Sequence, residues 1–180
     1  SLAQLLDQLY NADASTVALR DLLPDDFSTH WQDILALLNI LIERWPAILA
    51  GEGAMDAVNR RNSFIRWQAQ HWQQTQPDNF IVVAGSTGSI KATRDLIAVV
   101  ATLPNGYVVL PGLDRGVGDL WDDIAADSSH PQHALAELLD ALSLAPDQVQ
   151  DWPRLPVALP TQQARRQFIR EIFRPAAVTA

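Results

Sequence analysis

The spacing of hydrophobic residues changes twice along this 180-residue chain and divides it into three parts. Over residues 1–76 the apolar positions recur every three to four residues, which predicts helices. Over residues 77–116 two short, continuous apolar runs lie on either side of one helical pattern, which predicts two strands and a connecting helix. Helical spacing then returns over residues 117–180. The chain is therefore predicted to hold a helical subdomain, a βαβ unit and a second helical segment.

The first part is expected to form four helices. They are placed at Leu2–Tyr10, Ser15–Leu23, Trp31–Trp45 and Asp56–Gln74. The third is apolar on nearly every side, so we expect a buried central helix. Pro46 has no backbone N–H to donate and is expected to kink or restart that helix. The fourth is more polar, with Val58, Ile65 and Trp72 along one side.

The middle part predicts a strand, a loop, a helix and a second strand. The strands are placed at Phe80–Ala84 and Tyr107–Leu110, both covered on each face. The helix ends near Leu103 and is expected to turn Ile90, Ile97 and Val100 inward, with Ser86 or Ser89 as its cap. Two parallel strands leave both sheet edges unpaired, so we expect further strands outside this chain.

The last part is predicted to be helical and interrupted by prolines. Helices are placed near Leu120–Ala125, Pro131–Leu144, Asp147–Trp152 and Thr161–Phe173. The final helix is expected to bury its apolar residues, which are Ala164, Phe168, Ile169 and Ile172.

Composition narrows the range of functions. The formal net charge is -8, so phosphate backbones repel the chain as a whole and any nucleic-acid contact needs a local basic patch.

The absence of cysteine excludes disulfides and thiolate chemistry, and a reducing cytoplasm is the expected location. No apolar run reaches the about 18 residues of a membrane span, so no membrane partner is expected. The sequence starts at Ser1 without an initiator methionine or a signal-peptide pattern, so we expect an internal piece of a longer protein.

The loop after the first predicted strand is the main candidate for anion binding. It contains Gly85, Ser86, Thr87, Gly88 and Ser89, and Lys91 follows it. A glycine-rich turn at a helix N-terminus with a nearby cation can hold a phosphate. A nucleotide P-loop, however, places lysine directly after its second glycine and a hydroxyl residue next, whereas Lys91 is three residues past Gly88. A purely structural turn is the favoured alternative.

The other polar candidates have simple structural interpretations. Asp114 follows the second strand, where α/β proteins often place a metal-binding carboxylate, but a loop or helix-capping role is favoured. His130 and His133 are three residues apart with Pro131 between them, which indicates the start of a helix more than a zinc site. His71, beside Trp72, is expected to pack in the core. No catalytic triad or carboxylate pair can be assembled, and no catalytic residue, metal or cofactor is assigned.

Two further groups are candidate contacts to DNA. Arg166, Arg170 and Arg174 recur at four-residue steps along the last helix and could meet phosphates, although a solvated face paired with acids is the favoured interpretation. The chain also has six tryptophans, which could stack on bases. Because they lie in helical apolar stripes, most are expected in the core.

One block of the sequence resembles a known family. Its segments are Gly85–Ile90, Ala92–Thr93, Leu103–Gly106 and Val108–Asp114, and His130–Gln132, His30–Trp31, Trp45–Pro46 and Arg174–Ala176 fit the same pattern. Together they resemble the B subunits of AddAB helicase-nucleases in their alphaproteobacterial form. The resemblance is most specific between Gly85 and Asp114. Lys91 departs from it, because the family has proline there.

The resemblance implies a subunit that works with a helicase-nuclease A subunit to resect DNA at double-strand breaks. It implies an α/β, mostly helical fold that holds part of a RecA-like, P-loop-type parallel sheet with inserted helical subdomains. The segment itself would be a non-catalytic scaffold that handles DNA, since no nuclease motif is present. Two other functions remain open from the residues: a small phosphate- or nucleotide-binding enzyme that uses the Gly85–Ser89 loop, and a helical protein-interaction module.

Overall fold

The computed structural model describes residues 2–14, 39–152 and 160–174. These residues are mostly helical and include a two-stranded parallel sheet. The elements are α1 (Leu2–Ala12), α2 (Trp45–Gly51), α3 (Ala57–Thr75), β1 (Ile81–Ala84), α4 (Lys91–Thr102), β2 (Gly106–Val109), α5 (Trp121–Ala126), α6 (His133–Ala141) and α7 (Pro160–Ile172). Among these helices, none combines the length and the apolar character needed to cross a membrane.

Internal contacts divide the chain into two units. The first contains residues 1–75 and 90–96, and the second contains residues 76–89 and 97–180. The sheet and the helices that follow it share a core, which explains why they group together.

In the first unit, α1 packs against α3 through a buried polar residue. Asn62 is fully buried and its Nδ2 donates to the carbonyl oxygen of Tyr10 at 2.8 Å. Leu6 and Ala69 are also buried, and Arg66 Nη1 contacts Asp13 Oδ1 at 3.0 Å. The helix predicted at residues 56–74 is confirmed within about a residue at each end.

The helix that contains Pro46 changes from π-helical to α-helical pitch just before the proline. A π-helical turn covers Ile40–Arg44, and the Trp45 N–H donates to the carbonyl of Ile40. Pro46 then lies in the first turn of α2, where its missing N–H costs little. Arg44 and Trp45 both keep right-handed helical backbone angles, so the helix changes pitch before Pro46 without a break, and the predicted restart is not observed. The predicted helix at residues 15–23, and most of the one at 31–45, lie outside the described residues, and Ile40 in the described end of the latter is 40% exposed.

In the second unit, β1 and β2 pair in parallel, as predicted. Val83 lies opposite Val108, and the ladder continues past β1 where Gly85 N donates to Val109 O at 3.0 Å. The buried centre is formed by Ile97 of α4 with Leu135 and Leu138 of α6. Val83, Val108, Leu110, Leu113 and Leu142 pack against it. The inward position predicted for Ile97 and Val100 is confirmed, since both are about 1% exposed or less.

The prediction that both strands are covered on each face is wrong. Val83 and Val108 face the core, but the opposite face is open: Phe80, Val82 and Tyr107 are 74%, 58% and 50% exposed. Side chains alternate across a strand, so covering one face leaves every second residue outside. Phe80 and Tyr107 stack on each other there, with ring centroids 5.5 Å apart.

Two predictions for the last part are also wrong. The helix expected at Asp147–Trp152 is only a short 3-10 segment, Pro146–Gln148, because Val149 is extended and its carbonyl accepts a hydrogen bond from Arg115. The helix α7 does not bury its apolar residues, and Phe168 and Ile172 are 66% and 58% exposed. Ala164 and Ile169 are exposed as well.

Candidate functional site

The Gly85–Ser89 loop begins at the carboxyl end of β1, where the sequence places it. Gly85 and Gly88 have positive φ angles of 77° and 67°, a conformation that glycine adopts without steric cost. Gly88 N donates to Ser86 Oγ at 3.3 Å, so the Ser86 hydroxyl accepts a bond inside the loop. Ser86 therefore stabilises the turn, whereas the sequence predicted it as a possible helix cap. Thr87 is half-buried and Ser89 is exposed.

Lys91 lies in the first turn of α4 and is bound to Asp95 one turn later. Its Nζ is 3.1 and 3.3 Å from the two carboxylate oxygens, and each side chain is 42% exposed. A cation in the first turn of a helix is unfavourable beside the positive end of the helix dipole. The Asp95 carboxylate offsets this cost and balances the charge of Lys91 within the helix.

Arg170 and Asp114 form the closest charged pair of the predicted candidates. Arg170 Nε donates to Asp114 Oδ2 at 2.9 Å, and its Nη2 donates to Oδ1 at 2.6 Å. Asp114 Oδ1 also accepts from Gly116 N at 3.0 Å and caps the 3-10 turn Arg115–Leu120. A side chain at position 116 would overlap the Arg170 guanidinium. Because Gly116 has no side chain, the guanidinium can lie against its backbone. The capping role predicted for Asp114 is confirmed.

This geometry changes the acidity of Asp114. The hydrogen bond from Arg170 is the largest influence and lowers the pKa of the carboxyl, while partial burial acts in the opposite direction. The Gly116 N–H and the charges of Arg170 and Arg166 lower the pKa further. The carboxylate is therefore held in its ionised form as a partner for the arginine.

The other two arginines of the predicted stripe differ in their surroundings. Arg174 Nη1 lies 3.7 Å from Glu171 Oε2, and Arg166 is exposed. A small open cleft of about 160 Å³ is lined by Gly116, Val117, Leu120, Arg170, Glu171, Phe173 and Arg174. Both guanidinium groups in this cleft have a carboxylate partner, so the cleft has little net positive charge with which to attract a phosphate.

His130 connects the turn before α6 to the end of α7. Its Nδ1 accepts from Gln132 N at 3.0 Å, so the ring hydrogen lies on Nε2, which is 2.8 Å from the carbonyl oxygen of Phe173. His133 Nδ1 contacts the carbonyl of Ile124 at 3.3 Å. The interpretation of His130 as part of the start of a helix is supported by these contacts. In the described ranges, no three or more His, Asp or Glu side chains converge as a metal site would require.

The tryptophan prediction is wrong for the part of the chain that is described. Trp67 and Trp152 are 54% and 59% exposed, and the other described tryptophans are half-buried. His71 is also exposed and stacks on Trp67, with ring centroids 5.2 Å apart and planes 4° from parallel. Helical spacing on α3 contained the signal, since Phe64, Trp67 and His71 recur three and four residues apart and so share one face of the helix.

The Asp114–Arg170 pair was not predicted. The four-residue arginine spacing indicated one face of a helix, and the position of Asp114 after a strand indicated a cap. Nothing in the local pattern of either residue indicates a partner 56 residues away. Searches of protein-family models, curated proteins and solved structures find no match to this chain.

Proposed function

We propose that this chain is a non-catalytic, helicase-like segment of the B subunit of a DNA double-strand-break repair helicase-nuclease. It serves as a scaffold and handles DNA while ends are resected. The observation that carries the proposal is the parallel β1–α4–β2 unit with the Gly85–Ser89 loop at the carboxyl end of β1. The sequence block from Gly85 to Asp114, which resembles that family, covers the same unit.

The chemistry of the loop supports a scaffold over an ATPase. A working P-loop uses a lysine on the phosphates and a hydroxyl on magnesium. Here Lys91 is paired with Asp95, and the Ser86 hydroxyl accepts a bond from Gly88. In this proposal the segment uses no cofactor, and the RecA-like sheet is completed by strands from elsewhere in the B subunit, since parallel sheets are normally covered and extended.

The open face of the sheet is where this scaffold would meet the rest of its complex. Val82 of β1, Tyr107 of β2 and Phe80, which directly precedes β1, form an exposed apolar surface. Burying such a surface against another protein is favourable by about 25 cal/mol for each Å² of apolar area. The partner in the proposal is the helicase-nuclease assembly that includes the A subunit, in the cytoplasm.

The test is co-expression of the affinity-tagged chain with the full helicase-nuclease, followed by affinity purification and an ATPase assay. We expect the A subunit to co-purify, and we expect the chain alone to hydrolyse no ATP. Val82→Asp should weaken co-purification, because it places a charge on the open face, whereas Asn79→Asp adds the same charge just before the strand and should not. ATP hydrolysis by the chain alone, or equal co-purification of both variants, would reject the proposal.

A helical protein-interaction module is the second candidate, favoured by the exposed apolar face of α7. Phe168, Ile169 and Ile172 are each at least 46% exposed. This function predicts a protein partner and no salt-sensitive binding to single-stranded DNA. Such binding, measured by fluorescence anisotropy, would reject it.

A further inference from the structure

An exposed column of aromatic rings runs along the long helix α3. Phe64 and Trp67 have ring centroids 5.6 Å apart with planes tilted by 34°, and Trp67 and His71 lie 5.2 Å apart and nearly parallel. Phe64 is 64% exposed and Trp67 is 54% exposed. Exposed apolar side chains that contact one another in a contiguous patch, unlike single exposed ones, indicate a surface for binding.

The column lies on the side of α3 that points away from its packing face. Asn62 and Ala69, both buried, mark the packing face. At about 100° per residue, Phe64, Trp67 and His71 lie within about 60° of arc, centred opposite those two residues. Within the described residues of the first unit, the contact with α1 covers one face of α3, and Phe64 and Trp67 on the aromatic face are exposed.

The charge of α3 is opposite to that of the chain as a whole. Its 19 residues contain three arginines and no aspartate or glutamate, while the chain carries a net charge of -8. Arg61 and Arg66 hydrogen-bond to Asn11 and Asp13 at the end of α1. Arg60 is exposed one turn before Phe64, on the same face as the rings. The rings therefore have a cation beside them, and the carboxylate at that end of the helix is that of Asp56, which precedes α3 and accepts a hydrogen bond from Val58 N at 2.9 Å.

We propose that this surface, formed by Arg60, Phe64, Trp67 and His71, binds single-stranded DNA. Unpaired bases stack on exposed aromatic rings regardless of their sequence, and arginine contacts the phosphates between them. Duplex DNA offers no free base faces, and the 19 residues of α3 itself carry no carboxylate that would repel a phosphate. This surface is where the DNA handling proposed above would take place. The proposal rests on that proposed function only for the choice of DNA over RNA.

The test is fluorescence anisotropy of a labelled oligothymidylate of about 20 nucleotides, titrated with the whole chain at about 50 mM salt. We expect saturable binding that Trp67→Ala weakens about tenfold, and that Trp67→Phe largely restores. Arg60→Ala should flatten the slope of log K against log salt by about 0.7, the value for one phosphate contact on a single strand. Trp152→Ala removes an equally exposed tryptophan elsewhere and should leave binding unchanged.

Circular dichroism of each variant checks that the helices remain folded, and Phe64→Ala provides an independent disruption of the column. Equal binding by wild type and Trp67→Ala, or tighter binding to oligouridylate of the same length, would overturn the proposal. So would self-association through the column without DNA binding, seen by sedimentation. If only this proposal fails, the A subunit still co-purifies with Trp67→Ala; if the scaffold function fails, co-purification is lost in the wild type as well.

Discussion

Arg170 donates hydrogen bonds to both carboxylate oxygens of Asp114 and so links α7 to the turn after β2. The two bonds are 2.9 and 2.6 Å long, and both side chains are about one third exposed. A planar guanidinium in this two-point arrangement fixes direction as well as distance, which a lysine cannot do. The pair therefore sets how α7 lies in the second unit.

The first prediction is that Arg170 and Asp114 stabilise the fold jointly. A double-mutant cycle with Arg170→Ala and Asp114→Ala, followed by urea unfolding, should give a coupling free energy of about 1 kcal/mol, because the pair is bidentate but only partly buried. The matched control is Arg174 with Glu171, a looser pair at 3.7 Å. Its coupling should stay below about 0.3 kcal/mol, and equal values for the two pairs would contradict the special role of Arg170.

The second prediction concerns pH. The Arg170 hydrogen bond lowers the pKa of Asp114 from its ordinary value of 3.8. A carboxyl whose pKa is lowered by folding contributes stability above its ordinary pKa and loses it as the pH falls through the lowered value. The difference in unfolding free energy between wild type and Asp114→Asn should therefore be constant near neutral pH and shrink below about pH 4.

Asp127 supplies the control for that measurement, because hydrogen bonds from Ser129 lower the pKa of Asp127 too. Its variant Asp127→Asn removes an independent titration, so the difference between wild type and Asp114→Asn should keep its pH dependence in that background. A difference that grows on acidification would contradict the assigned direction of the shift.

The third prediction concerns the turn between α4 and β2. A Cβ on Gly106 would collide with the backbone carbonyl of Val100, and the Gly106 N–H donates to the carbonyl of Leu103 at 3.1 Å. Gly106→Ala should therefore lower the free energy of unfolding by about 1 to 3 kcal/mol, the usual cost of forcing extra volume into a packed site. Gly51→Ala, where the added Cβ meets nothing within 4 Å, is the matched control. Equal free energies of unfolding for Gly106→Ala and Gly51→Ala would contradict the prediction, because they would mean that the backbone around residue 106 shifts to accommodate the added Cβ.

The βαβ unit could be predicted from the sequence because its signals are local. The change from β-branched runs to helical spacing places β1, α4 and β2 within about two residues of their observed bounds. The covering of the sheet could not be predicted in this way. A continuous apolar run is typical of a strand covered on both faces, but whether a layer lies over Val82 depends on residues distant in sequence.

The same dependence on residues distant in sequence explains why the buried faces of α3 and α7 were predicted wrongly. Spacing tells which residues of α3 or α7 share a face, but it does not tell which face packs. Ile65 and Trp67 are similar in their apolar character, and only the contact of α3 with α1, fixed by Asn62, decides that Trp67 is outside. The polar residue that orients the helix was missing from the predicted core because a buried asparagine has no hydrophobic signal.

The fourth prediction tests that orienting role. Asn62 is fully buried, its Nδ2 donates to Tyr10 O at 2.8 Å, and its Oδ1 accepts from Arg61 Nε at 3.1 Å. Asn62→Asp replaces the donor with a carboxylate oxygen that faces the Tyr10 carbonyl, which should destabilise the first unit by about 1 to 3 kcal/mol. Asn59→Asp introduces the same charge one turn earlier, near the helix N-terminus where an acid is tolerated. Hydrogen exchange should show faster exchange of the α1 amides in Asn62→Asp alone, and unchanged protection of α1 in that variant would mean that Asn62 does not hold the two helices together.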